Sequence, residues 1–330
     1  MTAEIINITH EPQRAISEAS RVLNDGFPVA IPTETVYGLA ADATRADAIS
    51  HIYETKGRPQ FNPLICHVCD IEMAERYAVF DPASRKLAET FWPGPLTIVL
   101  PLRKDSTIHP LATAGLETVG LRCPEGFAND LIRDFGRPLA APSANTSGKI
   151  SPTSARHVMD DLGDKLQLII DGGSSPVGVE STIIRVDPET GAILLLRPGG
   201  LAAMHIADAA GRDLERRSGP AAIIEAPGML ASHYAPGASV RLDATAIEPG
   251  EALIRFGGQP VAGAEKAAID LDLSPSADLA QAAANLFEYL KRADASGASS
   301  IAVAPIPNEG LGEAINDRLG RAAAPRDGEE

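Results

Sequence analysis

Apolar residues in the first 200 positions follow two alternating rhythms: short runs suited to buried strands, and three-to-four-residue spacings suited to one-sided helices. Ile16, Ala19 and Leu23 predict a helix over Arg14–Asn24. A short buried strand at Val29–Ile31 follows and stops at Pro32. Ile49, Ile52 and Tyr53 share a face of a helix over Ala46–Lys56. Further strands are expected at Leu64–Val68, Leu96–Leu100, Val119–Leu121, Leu139–Ala141 and Leu166–Ile170. Helices are expected at Ala83–Phe91, Phe127–Phe135 and Ser154–Leu162, the last with Thr153 placed to cap it. Thr182–Val186 and Ala192–Leu196 flank a hairpin loop at Asp187–Gly191. The mixture specifies an α/β unit with a twisted sheet that contains antiparallel pairs.

The rhythm lapses over Ser218–Pro236, where Pro220, Pro227, Gly228 and Pro236 read as a linker. It ends in Ser232-His233-Tyr234-Ala235-Pro236, and a plain spacer needs no His-Tyr pair. The pattern restarts with strands at Ser239–Leu242, Ala252–Phe256, Ala267–Leu271 and Ser300–Ala304, and helices at Leu279–Arg292 and Leu311–Ala322. That is a small α/β unit with a partly parallel sheet. Residues 325–330 read as a disordered tail. The 330 residues exceed the roughly 150 of a typical domain, so the chain divides into 1–217, a linker at 218–237 that folds over the site, and 238–330.

No stretch of about 18 apolar residues and no export signal is present, so a soluble, cytoplasmic protein without membrane attachment is expected. Cys66 and Cys69 have a C-x-x-C spacing, but no second ligand pair accompanies them. They and Cys123 read as ordinary reduced thiols. The net charge of −15, with 8 Lys+Arg against 15 Asp+Glu from residue 238 onward, speaks against direct binding along a nucleic-acid backbone. A nucleotide-binding protein this acidic must gather its positive charge in one place.

The usual phosphate loops, G-x-x-x-x-G-K-[ST] and G-x-G-x-x-G, are missing, as are H-E-x-x-H and G-x-S-x-G. Three other segments could form one nucleotide site. Pro32–Leu39 leaves a strand with the hydroxyls of Thr33, Thr35 and Tyr37, where α/β sheets present ligands; a structural loop is the alternative. Lys56-Gly57-Arg58 precedes Pro59 and Pro63, and stiffened cations suit a phosphate grip; complementing the helix dipole is the alternative. His67 lies just beyond. Ala141–Gly148 is a small, hydroxyl-rich turn whose amides can cradle an anion; an elaborate helix cap is the alternative. Arg122 ends a strand and suits a carboxylate, a phosphate or a surface ion pair.

In this order, PTETVYGL, K-x-R-P-x-x-N-P-L, WPGPLT at Trp92–Thr97 and APSAN-x-SG followed by SPT resemble the long form of the threonylcarbamoyl-AMP synthase family. Gly178–Ile183, Leu196-Arg197-Pro198-Gly199 and His233–Pro236 continue the resemblance. It implies a YrdC-like catalytic domain and a Rossmann-like C-terminal domain. It also implies the formation of L-threonylcarbamoyladenylate and pyrophosphate from L-threonine, bicarbonate or CO₂, and ATP. The product would serve a separate transferase system that modifies adenosine 37 of tRNAs reading codons that begin with A. By resemblance, Thr35, His67, Arg122, Ala141 and Ser181 line the threonine pocket. Arg58, Asn62, Thr118, Ser143, Ser151, Arg197 and Tyr234 contact ATP, and Lys56 joins Arg58 as a catalytic cation near the phosphates. Mg²⁺ would arrive with the phosphates, with no protein ligand assigned, and the chain would act as a monomer. One departure stands out. The family linker often carries basic residues before the His-Tyr pair, whereas here Gly228–Ser232 has none. A double-stranded-RNA binder, a carbamoyl-transfer module of hydrogenase maturation and a regulatory nucleotide-binding domain are the competing readings.

Overall fold

The structure, a computed structural model, describes residues 2–59, 62–216 and 233–325. Eleven strands build one mixed sheet: β1 Glu4–Asn7, β2 Val29–Ile31, β3 Gly38–Asp42, β4 Ile65–His67, β5 Leu96–Pro101, β6 Thr118–Arg122, β7 Leu139–Ala140, β8 Leu168–Asp171, β9 Thr182–Val186, β10 Ile193–Arg197 and β11 Leu214–Arg216. Their spatial order is β1-β8-β2-β3-β7-β4-β6-β5-β9-β10-β11. A second sheet holds β12 Ser239–Arg241, β13 Glu251–Arg255, β14 Asp270–Asp272 and β15 Ser300–Val303, in the order β12-β15-β13-β14. All its pairings are parallel. The helices are α1 Pro12–Asn24, α2 Ala46–Lys56, α3 Ile71–Glu75, α4 Pro82–Phe91, α5 Phe127–Phe135, α6 Ala155–Leu162, α7 Ala203–Ala210, α8 Leu279–Ala295 and α9 Leu311–Ala322.

Local chemistry fixes the boundaries that matter for the site. Helix α2 stops at Gly57, whose φ of 61° is the left-handed region, and this turns the chain into the Arg58 loop. Helix α6 is capped by Ser154, which accepts from the His157 amide, and not by Thr153 as the sequence suggested. Thr153 is instead buried, its amide donating to His157 Nδ1. Strand β3 was not anticipated. Gly38-Leu39-Ala40-Ala41-Asp42 is alanine-rich, yet all five residues are buried in the middle of the sheet, where small side chains fit between covered faces. Strands β1 and β11 and helices α3 and α7 also went unpredicted, all short enough for tertiary contacts to decide them.

One large apolar core lies on the first sheet. A second joins the sheets: Val36, Ile150, Val179 and Tyr234 pack with Ala283, Leu286 and Phe287 of α8 and Ile315 and Leu319 of α9. The approach is closest at Gly178, where φ is +77° and a Cβ would stand 2.4 Å from the Ala283 carbonyl oxygen and the Ala284 Cα. Only glycine suits that position, both for its backbone and for the helix against it. Most of the expected linker, and the tail beyond Pro325, lie outside the described residues. The described end of the linker, His233–Gly237, is ordered against the rest of the chain: the Ala235 amide donates to the Gly148 carbonyl at 2.9 Å.

Candidate active site

Register aligns the site. His67 of β4 pairs with Arg122 of β6, Arg122 with Thr97 of β5, Thr97 with Ile183 of β9, and Ile183 with Arg197 of β10. Directly paired residues project from the same face of a sheet, so one transverse row carries an imidazole, two guanidiniums and a hydroxyl. The loops after β2, α2 and β7 rise around this row, as do residues 178–181 and the His233-Tyr234 segment. The resulting cavity is lined by Thr35, Val36, Arg58, Ile65, His67, Arg122, Ala141, Pro142, Ser143, Glu180, Ser181, Arg197, His233 and Tyr234.

All five residues expected around threonine, Thr35, His67, Arg122, Ala141 and Ser181, are in this wall. Of the seven expected around ATP, Arg58, Ser143, Arg197 and Tyr234 are there too. Thr118 lines a small adjoining, mainly apolar pocket with Pro63, Thr97, Gly120 and Ile183; Ile65 belongs to both walls. Asn62 is buried behind Arg58, its Oδ1 without a hydrogen-bond partner among the described residues. Ser151 is fully buried and donates through its hydroxyl to Glu180 Oε1 at 2.5 Å. Lys56 is not in the wall: its ammonium is buried behind the Ala141–Gly148 turn and donates to the Ser143 and Asn145 carbonyls. The structure therefore assigns Lys56 to holding that turn in shape.

The electrostatics favour anions. Lys56, Arg58, Arg122, Arg197 and Arg318 are buried in and around the cavity, against the carboxylates of Glu34 and Glu180. Burial draws the Lys56 ammonium well below its ordinary 10.5, and the nearby Arg58 charge adds to the effect. Burial also pulls the Arg58 guanidinium down to about 10 and lowers Arg197. These charges cost folding free energy when the cavity is unliganded, and a polyanion relieves them. Burial would raise the Glu180 carboxyl, but the guanidiniums of Arg318 and Arg197 outweigh it and hold it at about 2. Arg122 is paired with Glu34 at 2.6 Å, both side chains being nearly inaccessible, and donates through Nε to the Gly94 carbonyl.

Burial depresses both His67 and His233 from 6.5 to about 3. Each is therefore neutral at physiological pH, and His67 offers a buried Nδ1 without a hydrogen-bond partner among the described residues. The unfolded chain binds these two protons near pH 6.5 and the folded chain only near 3, so their contribution to stability is present above 6.5 and is lost as pH falls toward 3. His67→Gln should accordingly move the acid-unfolding midpoint to lower pH. Circular dichroism against pH reads this, and an unchanged midpoint would contradict the burial argument.

Tyr234 lines the cavity in a left-handed backbone conformation, φ 62°, which is strained for a tyrosine. Its ring stacks on Phe287 of α8 at 5.5 Å and meets the His233 ring at 4.1 Å. Three site residues escaped the sequence: Glu34, Glu180 and Arg318. The first two stand inside PTETVYGL and Gly178–Ile183, where their hydroxyl-bearing neighbours draw the attention. Arg318 carried its own signal, because it shares the buried stripe of α9 with Ile315, Leu319 and Ala322, and a cation on an apolar stripe needs a buried partner.

The fold and cavity define an α/β protein with a buried, arginine-rich cavity whose charge suits anions. Residues 21–199 match the Sua5/YciO/YrdC family, described as telomere recombination, and residues 201–324 match the threonylcarbamoyl-AMP synthase C-terminal domain. The threonylcarbamoyl-AMP synthase of Bacillus subtilis is 40% identical over 96% of this chain and 95% of its own length. That of Pyrococcus abyssi is 40% identical over 98% of both. The crystal structure of P. abyssi Sua5 complexed with L-threonine superimposes with a TM-score of 0.85 at 36% identity, covering 97% of this chain and 98% of that one. The chain belongs to the threonylcarbamoyl-AMP synthase family. Among the described residues, no helix is long and apolar enough to cross a membrane, and no cluster of three or more His, Cys, Asp or Glu is arranged to hold a metal ion. Cys66, Cys69 and Cys123 are free and buried.

Proposed function

We propose that this chain makes L-threonylcarbamoyladenylate, pyrophosphate and water from L-threonine, bicarbonate and ATP. The observation that carries the reading is the single cavity in which the hydroxyls of Thr35 and Ser181 and the neutral imidazole of His67 meet the guanidiniums of Arg58, Arg122 and Arg197. Arg122 takes the threonine carboxylate, while Thr35, His67 and Ser181 supply uncharged partners for its hydroxyl and amine. The amine attacks CO₂ and gives up a proton, or attacks bicarbonate and expels water, to give N-carboxy-threonine. Its new carboxylate attacks the α-phosphorus, the bond to the β-phosphate oxygen breaks, and pyrophosphate leaves. A carboxylate is already a nucleophile, so catalysis rests on alignment and on cations that meet the developing charge.

On this reading Arg58 and Arg197 meet the phosphates, and the Ser143 turn, braced by Lys56, follows them. Thr118 and Asn62 flank the nucleotide, and Tyr234 closes over it. Mg²⁺ comes with the phosphates, since Glu34 and Glu180 are each committed to an arginine and offer no free carboxylate. Residues 1–217 form the catalytic unit, 218–237 the linker and 238–330 the C-terminal unit. The chain works as a cytoplasmic monomer that passes its product to a tRNA-modifying transferase system.

The deciding experiment is pyrophosphate release from ATP, with threonine and bicarbonate each left out in turn. Release that needs both is expected. Release without threonine, or none with all three present, would refute the reading.

A further inference from the structure

Glu180 sets a problem for this site. It is a carboxylate in the wall of a cavity that must admit a polyphosphate, and it lies beside Ser181, whose hydroxyl meets that of Thr97 at the centre of the row. Arg318 answers it from the other end of the chain. Its side chain is completely buried, and Nε donates to Glu180 Oε2 at 2.8 Å. Nη1 donates to the Pro198 carbonyl at 2.9 Å and to Asp317 at 2.6 Å. The guanidinium carbon lies 5.3 Å from the centre of the Tyr234 ring. The other carboxylate oxygen of Glu180 is occupied by Ser151.

We propose that Arg318 is a positioning residue of the adenylylation site, supplied by the C-terminal helix α9 to neutralise Glu180 so that the cavity accepts the negative charge of ATP. The proposal rests on the adenylylating reading above. Charged and titratable groups reach the Glu180–Arg318 pair from several elements: Arg197 from β10, His233 and Tyr234 from the linker end, and Asp317 from α9 itself. Of these, His233 is neutral and Asp317 is shared with Arg321, which it bonds at 3.0 Å. Without Arg318, Arg197 is the remaining cation among the groups that act on Glu180, and it must also serve the nucleotide. The carboxylate would then take a proton at low pH. At higher pH it would stand as a buried anion facing the phosphates, weakening ATP by roughly 10- to 100-fold.

The test is calorimetric titration of the full chain with ATP at about pH 6 and about pH 8.5. Arg318→Gln should bind ATP more weakly, and the deficit should be larger at the higher pH. In Arg318→Gln/Glu180→Gln the affinity should return to within about threefold of the native protein, with the pH dependence gone. Arg318→Lys should fall between the two. A deficit that is equal at both pH values and persists in the double variant would reduce Arg318 to a strut between the two sheets and overturn the proposal. Should Arg318→Gln fail to fold, Glu180→Gln is compared with the double variant: similar ATP affinities support the proposal, and a tenfold gap between them overturns it. ATP binding is the readout, so a chain that binds ATP yet releases no pyrophosphate with threonine would refute the adenylylating reading and leave this test standing.

Discussion

Arg58→Ala is expected to lower threonine-dependent pyrophosphate release by at least ~10²–10³-fold in kcat/KM, while leaving the protein folded. The two halves of this expectation have separate causes. Loss of activity follows because Arg58 is a cavity-wall guanidinium whose pKa is already depressed to about 10 by burial, a charge awaiting an anionic partner. Retention of the fold follows because its hydrogen bonds to the Asn62 and Pro63 carbonyls are long, at 3.1 to 3.4 Å. Its removal also relieves repulsion with Arg197 and Lys56. Thermal melting alongside the assay separates the two. Near-normal turnover would remove Arg58 from the phosphate site, and collapse of the fold would show that its bonds to the loop outweigh the strain of its charge.

Arg122→Ala should behave in the opposite way, failing in both stability and binding. It strands the Glu34 carboxylate, which is 6% exposed and paired with Arg122 at 2.6 Å, so a loss of about 3–5 kcal/mol is expected. Replacing both partners, as Arg122→Ala/Glu34→Gln, should restore much of that stability, because no buried charge is left alone. Threonine affinity should not return with it. A charged hydrogen-bonding partner of the substrate carboxylate is absent from both variants, and that loss is worth roughly 10- to 100-fold in affinity. Denaturant melts and threonine titrations make the comparison. A double variant that regains threonine binding would mean that Arg122 only neutralises Glu34 and another cation receives the carboxylate.

What the sequence made legible was mostly local. Strands and helices with a clear apolar rhythm, such as Val29–Ile31, Ala46–Lys56, Phe127–Phe135 and Leu311–Ala322, have the same limits in the structure. Pro59 and Pro63 marked the loop carrying Arg58 as stiff, and the His-Tyr pair at the end of a Pro/Gly-rich stretch marked Tyr234 as more than spacer. Non-local pairing was not legible. Strand β3 is alanine-rich, and it is a strand only because β2 and β7 flank it. Arg122 read equally well as a ligand contact or a surface ion pair; it is in the cavity wall and in an ion pair, but that pair is buried. Lys56 and Arg58 looked like two arms of one grip, yet helix α2 ends between them. Lys56 is thereby directed behind the Ala141–Gly148 turn and Arg58 into the cavity. Arg318 and Glu180 are separated by 138 residues, and no spacing rule connects them.

That separation has a consequence for biosynthesis. A ribosome that has finished strand β11 at Arg216 has made every strand of the first sheet, but the helix bearing Arg318 is still to come. With Arg318 in the role assigned to it, the nascent pocket keeps an uncompensated carboxylate where nucleotide must enter. A chain interrupted anywhere before residue 318 would then bind ATP more weakly. Vectorial synthesis and charge pairing together would make full nucleotide affinity a late event in the life of each molecule.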